Sequence, residues 1–184
     1  NDEVEGKEAT AMLETITEEI RRLETLTGRY LHLSRPRVPQ MSTVDPEHLI
    51  TELLRAEGPA LEQMGVKVEL QASTEGPTTL DADAVSRAVR NLVRNAAEAG
   101  ATHVDLRLIC TDTRLSMTVT DNGPGLSEEQ LEQAFDPFFT TKARGTGLGL
   151  AISRQELEEI SGNLEFDTEY SDGARFKLTV PLDP

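Results

Sequence analysis

Between residues 8 and 34 the apolar positions fall at Leu13, Ile16, Ile20, Leu23, Thr27 and Tyr30, spaced 3, 4, 3, 4, 3. That alternation predicts one amphipathic helix with the narrow seam of a coiled coil or bundle helix. Glu18, Glu19, Arg21 and Arg22 lie on its other faces, where opposite charges can pair along the helix. The seam could pack on the chain's own globular part, but its near-strict a/d spacing favours a hairpin or an intermolecular bundle. Arg35-Pro36-Arg37-Val38-Pro39 then stops the helix, because two prolines remove backbone donors and bias the residues before them to extended conformations. We read 35–44 as a linker.

Past the linker, Asp45 is placed as an N-cap with Pro46 at the first helical position. Leu49, Leu53, Leu54, Ala60, Leu61 and Met64 supply the core face of that helix, with an interruption expected near Gly58-Pro59. Val66 to Leu70 alternates as a strand, and Leu80 belongs to a further short strand. A helix is predicted from Asp83 to Ala99, ended by Gly100. Val104–Cys110 and Leu115–Thr120 read as a hairpin turning near Thr111-Asp112-Thr113. Ser127-Glu128-Glu129-Gln130 has the form of a capping box opening a short helix to Phe135. A last helix runs from Leu148 to Ser161, closed by Gly162, before strands at 164–167 and 174–180. Helices and strands are mixed without regular βαβ alternation. The expected fold is therefore α+β: a two-layer α/β sandwich, helices on one face of a mixed sheet, behind a long coiled-coil-like N-terminal helix.

The 184 residues suit one ordinary domain with an appendage. Lys and Arg number 18 against 33 acidic residues, a net charge of −15, which argues against nucleic-acid or anionic-membrane binding through a broad basic face. An anionic ligand would need local backbone donors, a metal and a few cations. Cys110 is the single cysteine, so no intrachain disulfide exists and a reducing, cytoplasmic compartment is expected. No apolar run reaches membrane-spanning length, and no direct membrane contact is expected. The sequence opens at Asn1, without Met, and reads as a piece of a longer parent protein, with membrane anchoring of that parent left open.

Four separated motifs carry the chemistry. In Asn91-Leu92-Val93-Arg94-Asn95, the two amides share a helical face and could offer oxygen to Mg²⁺ and N–H groups to phosphates. Two solvent-facing amides on an ordinary helix would look the same. In Asp121-Asn122-Gly123-Pro124-Gly125 a carboxylate ends a strand, and Gly123 and Gly125 permit close backbone approach to a ligand. Asp121 could accept from the amino group of adenine, where guanine presents an oxygen; a plain tight turn is the alternative. Gly145-Thr146-Gly147-Leu148-Gly149-Leu150 leads into a helix whose N-terminal N–H groups favour phosphate oxygens. It is neither a P-loop nor a dinucleotide fingerprint, because no Gly-Lys-Ser/Thr follows and no strand precedes it. Between Asp121 and Gly149 the long connection suits a lid. Phe135, Phe138 and Phe139 are expected to anchor it by burying aromatic surface. Lys142 is placed to reach a γ-phosphate on closure, and Arg144 is a further cation there.

Together with Phe135-Asp136-Pro137-Phe138-Phe139-Thr140-Thr141-Lys142, these segments resemble the N, first glycine, F and second glycine boxes of sensor histidine kinase ATP-binding domains, of the Bergerat (GHKL) superfamily. Tyr30-Leu31 before Arg35-Pro36 resembles the junction in kinases of the nitrogen-regulator sensor type, and Gly173-Ala174-Arg175-Phe176 resembles the last glycine box. The resemblance implies a second dimerisation helix over 1–34 and a catalytic ATP-binding domain over 45–184. It implies Asn95 as Mg²⁺ ligand with Asn91 assisting, Asp121 for adenine, residues 145–150 for phosphates, and contributions from Arg94, Phe138 and Lys142. ATP and Mg²⁺ are the implied cofactors. A second kinase copy and a response-regulator receiver domain are the implied partners.

Two departures sharpen the reading. ATPase relatives carry Glu where Asn91 stands, and an amide cannot act as a general base, so little hydrolysis is expected. The family's phosphoacceptor His, followed by an acidic residue, belongs to a first hairpin helix. His32 lacks that acidic neighbour, His48 sits in the first turn of a capped helix, and His103 opens a strand. The expected acceptor is a histidine outside this sequence. An ATPase, a serine kinase of the anti-sigma-factor type and a nucleotide-sensing or dimerising module without activity remain the alternatives.

Overall fold

The computed structural model describes residues 12, 13, 16, 17, 38–142 and 145–182. The chain divides into two compact units, 1–36 and 37–184. In the first, Met12, Leu13, Ile16 and Thr17 are helical, with Leu13 64% and Ile16 49% exposed. The remaining seam positions and the Arg35-Pro36 junction lie outside the described residues.

The second unit holds β1 (Met41–Val44), α1 (Pro46–Gln63), β2 (Lys67–Thr74), β3 (Thr78–Asp81), α2 (Ala82–Glu98), β4 (His103–Cys110), β5 (Arg114–Asp121), α3 (Glu128–Gln133), α4 (Gly149–Glu158), β6 (Asn163–Phe166) and β7 (Arg175–Pro181). Five strands form one sheet in the order β2-β4-β5-β7-β6. The β2–β4 pair is parallel and the others are antiparallel, so the sheet is mixed as expected. Along β4, β5 and β7 every second side chain is buried. Leu106, Leu108, Met117 and Leu178 form the inner face, against Val85, Val89 and Leu92 of α2. Each such buried side chain contributes roughly 1.5–3 kcal/mol by leaving water. This period-2 burial sets one face against the helices and leaves Asp105 and Arg107 exposed on the other.

Several local features correct the expectations. The first helix of this unit is continuous: α1 runs through Pro59. Pro59 is exposed, so water can satisfy the carbonyl its ring leaves unpaired, while Leu53 and Leu61 stay buried on either side. Ala60 is on the exposed side of α1 and Met64, its C-cap, is exposed too, so neither belongs to the core face. Residues 41–44, inside the stretch read as linker, form β1, which pairs antiparallel with β3. Asp81, fully buried, joins that pair to α2. One carboxylate oxygen caps the helix through Ala84 N at 3.0 Å, and the other accepts from Gln40 N at 2.7 Å. The N-cap is thus Asp81, two residues earlier than Asp83. At the end of α4 the left-handed residue is Ser161, with φ 59°, just before Gly162. Gly162 is needed for a different reason: a Cβ there would stand 2.7 Å from the Thr179 carbonyl oxygen of β7. Asp45, the Ser127–Gln130 capping box and Gly100 (φ 89°) take the expected cap positions.

Candidate functional site

One face of α2 carries the polar residues of the first motif. Asn91 and Asn95 are each partly exposed, while Leu92, Val93 and Ala96 between and beyond them are buried in the core. The Asn91 amide lies against α4. Its Nδ2 donates to Ser153 Oγ at 3.2 Å, and a Cβ on Gly149 would collide with its Oδ1. Gly149 is therefore required by the close approach of α4 to α2. Asn95 Oδ1 accepts from Lys142 Nζ at 3.0 Å, and the same ammonium lies 2.6 Å from Glu98 Oε2, one turn further along α2. Lys142 thus reaches across from the lid to the asparagine face.

Arg94 points elsewhere. Its Nε donates to Glu57 Oε2 of α1 at 2.7 Å, and Arg90 Nε lies 3.0 Å from the other oxygen of that mostly buried carboxylate. Arg94 joins α2 to α1 and is not brought to the Asn91–Asn95 face. On the α4 side, Arg87 Nε holds Glu156 through both carboxylate oxygens, at 3.0 and 2.9 Å.

Asp121 ends β5 and is 7% exposed. Its Oδ1 accepts from the backbone N–H groups of Gly123 at 2.8 Å and Ala174 at 3.2 Å. The carboxylate is thereby fixed by the turn that follows it and by the segment entering β7. Asn122 secures the same turn by accepting from Thr102 N and His103 N, both at 2.9 Å. The backbone is crowded here. A Cβ on Gly173 (φ 148°) would strike the Asp121 carbonyl oxygen, and one on Gly125 (φ 69°) would come within 2.9 Å of the Gly173 carbonyl oxygen. The glycines of the first and last glycine boxes are thus dictated by each other as much as by any ligand.

The long connection from Leu126 to Leu148 contains α3 and little other regular structure. Phe135 anchors it, packing edge-on to Phe176 with ring centroids 6.4 Å apart and lying under the Arg154 guanidinium at 4.8 Å. Phe138 does not anchor: it is 57% exposed and has φ 70°. Its left-handed backbone is held by a bond from its N–H to the Gly147 carbonyl at 2.9 Å, and a Cβ on Gly147 would collide with the Phe138 carbonyl group. Phe139 is partly buried. Thr146 Oγ1 accepts from Leu148 N at 3.4 Å, and Leu148 is fully buried, so only its backbone can meet a ligand. A Cβ on Gly145 would strike Thr140 Oγ1. No side chain caps α4, which leaves the amides of Gly149 and Leu150 in its first turn for an external acceptor. Arg144 lies outside the described residues.

Amide oxygen is a donor type that Mg²⁺ accepts, so Asn95 Oδ1 suits a hard cation once the Lys142 ammonium, 3.0 Å away and now occupying that oxygen, has moved off it. A second group, on the outer sheet face, brings ligand atoms of Glu69, His103 and Asp105 within 4.8 Å of one another. The Lys67 ammonium, 2.5 Å from Glu69, competes with any cation there. Sequence separation had hidden that cluster, which register assembles: Glu69 is the cross-strand partner of Asp105. Burial raises the Cys110 thiol pKa, helped by Glu75 and Asp112, which disfavours a reactive thiolate.

Residues 80–184 match the family described as histidine kinase-, DNA gyrase B-, and HSP90-like ATPase. The chain belongs to this family. Among curated relatives, it is 30% identical over 181 residues to the sensor histidine kinase ZraS of Escherichia coli O157:H7, covering 97% of this chain and 40% of that protein. It is 27% identical over 181 residues to sporulation kinase D of Bacillus subtilis strain 168, covering 96% and 36%. Among solved structures, the histidine kinase ThkA in complex with the response regulator TrrA superposes with a TM-score of 0.76 at 28% identity, over 92% of this chain and 50% of that one. The chain thus spans about two fifths of the curated relatives it matches. The mixed sheet backed by helices is the GHKL sandwich, in the form of the ATPase catalytic domain of two-component sensor histidine kinases. No described helix is long and apolar enough to cross a membrane.

The family shares its fold between hydrolases and kinases, so the residues of this site have to separate them. Glu57, Glu98, Ser153 and Glu156 were not singled out by sequence, although each touches a motif residue or its helix. The signal available was helical spacing. Glu98 follows Asn95 by one turn, and Ser153 and Glu156 follow Gly149 at i+4 and i+7 on one face of α4.

Proposed function

We propose that this chain binds Mg²⁺-ATP and positions its γ-phosphate for transfer to a histidine in a sensor histidine kinase. The observation that carries this is the convergence of Lys142 from the lid onto Asn95, beside the Asn91 amide and the uncapped first turn of α4. Asp121 holds the far end of the nucleotide: with Oδ1 bound by two backbone amides, its Oδ2 is left to accept from the adenine amino group. The amides of residues 147–150 receive phosphate oxygens, with Gly145 and Thr146 shaping the loop. Asn95 holds Mg²⁺ with Asn91 assisting, and the ion would neutralise charge on the phosphoryl oxygens. Lys142 exchanges its protein partners for the γ-phosphate, and Phe138, exposed on the lid, closes over the nucleotide. Transfer then rests on positioning and charge neutralisation.

Asn91 separates transfer from hydrolysis. It stands where an ATPase would place a general base, and its Nδ2 is occupied as a donor to Ser153. His48 is exposed in the first turn of α1, His103 Nε2 lies 3.2 Å from Asp105 Oδ1 on the outer sheet face, and His32, which lacks the acidic neighbour of a phosphoacceptor, lies outside the described residues. The acceptor is therefore supplied from elsewhere in the kinase, and this chain alone does not phosphorylate itself. The nitrogen-regulator subtype rests on the Arg35-Pro36 junction. In the complete protein the downstream partner is a receiver domain, as the ThkA–TrrA pairing supports. Calorimetric titration with Mg²⁺-ATP and Mg²⁺-GTP tests the reading. Saturable, ATP-selective binding without phosphohistidine or sustained phosphate release is expected. Failure to bind, or rapid turnover, would overturn it.

A further inference from the structure

The contact between α2 and α4 is a polar row whose members sit in register. On α2, Arg87, Asn91 and Asn95 recur every four residues and so share one stripe. On α4, Gly149, Ser153 and Glu156 do the same at i, i+4 and i+7. Arg87 grips Glu156 with its Nε shared between both oxygens, Asn91 donates to Ser153 Oγ, and Gly149 gives space to Asn91 Oδ1. Ser153 is 3% exposed and Glu156 8%, so neither is placed to touch a ligand. Both face inward onto the helix that carries the asparagines.

Resting on the Mg²⁺-ATP reading of the site, we infer that Ser153 is a positioning residue that anchors the Asn91 amide against α4, with its oxygen over the first turn of that helix. A side-chain amide is nearly symmetric in shape, and a half-turn about its last bond exchanges oxygen for NH₂. At Asn91 the two ends have opposite uses. The oxygen suits a cation and the NH₂ repels one. The Ser153 hydroxyl accepts from Nδ2, which leaves Oδ1 over the first turn of α4, where the phosphates and the ion belong. The Arg87–Glu156 pair holds α4 in the axial register that keeps Ser153 opposite Asn91. With Ser153 removed, the amide loses its anchor on α4, and Oδ1 is no longer held over that turn.

The test is a double-mutant cycle on the full chain, using Ser153→Ala, Asn91→Ala and the double variant. Binding of Mg²⁺-ATP and of adenosine is read by calorimetry, and folding by thermal melts. Ser153→Ala should weaken Mg²⁺-ATP about 2- to 12-fold, the range for losing one neutral hydrogen bond. It should leave adenosine, which touches only the Asp121 end, unchanged. In the Asn91→Ala background the same substitution should have no further effect, because Ser153 acts through the amide. Additive losses, or equal weakening of adenosine, would overturn the inference while leaving the nucleotide reading intact. Absence of Mg²⁺-ATP binding by the unmodified chain would overturn both.

Discussion

Replacing Asp121 by Asn gives a sharp separation between holding the fold and reading the base. Oδ1 of Asp121 is committed to two backbone donors, Gly123 N at 2.8 Å and Ala174 N at 3.2 Å. An asparagine keeps both bonds only by turning its oxygen to that side, which forces its NH₂ into the position of Oδ2. The base then meets a donor where it met a charged acceptor. A hydrogen bond to a charged group contributes about 1.5–3 kcal/mol, so ATP should bind roughly 10- to 150-fold more weakly. GTP, which presents an oxygen at that place, should lose nothing or gain. Stability should change little. Asp121→Ala behaves differently, because it strands both N–H groups, and each unsatisfied buried donor costs about 1–3 kcal/mol. Its melting temperature should fall by several degrees. Calorimetry with both nucleotides, run beside melts of the three proteins, reads all of this. The reasoning is refuted if Asp121→Asn binds ATP as tightly as the parent chain. It is refuted equally if the asparagine variant melts as early as the alanine one.

Two further outcomes are expected. Glu98→Gln removes the carboxylate that helps hold Lys142 at Asn95, so Lys142 should be released more easily to the γ-phosphate and Mg²⁺-ATP should bind up to several-fold tighter, in keeping with the 0–1 kcal/mol of an exposed ion pair; weaker binding would show that Glu98 serves the nucleotide directly. We also propose that residues 8–34 pair with a second copy of the kinase, since Leu13 and Ile16 of that seam are exposed; sedimentation of the chain with and without these residues should give different association states, and an unchanged monomeric mass for both would refute the pairing.

The sequence by itself determined what depends on near neighbours. Cap residues Asp45, Ser127 and Gly100, the buried stripe of α2, and the alternation along β4, β5 and β7 all follow from a 3.6- or 2-residue period and from local backbone chemistry. The four motifs were legible because each is a short run with its own composition. Tertiary structure alone decided the rest. Whether Pro59 breaks α1 depends on which side of the helix faces water, and whether a phenylalanine anchors the lid depends on what lies opposite it. Phe135 packs edge-on against Phe176, whereas Phe138 is 57% exposed. The sequence closes α4 with Gly162, but it is the neighbouring β7 carbonyl that requires that glycine, and Ser161 takes the left-handed backbone. Within the site, Asn91 meets Ser153 across 62 residues and Lys142 meets Asn95 across 47. Such contacts are set by helix-to-helix distance and axial register. Those are properties of the packed layers, which no local pattern of residues records.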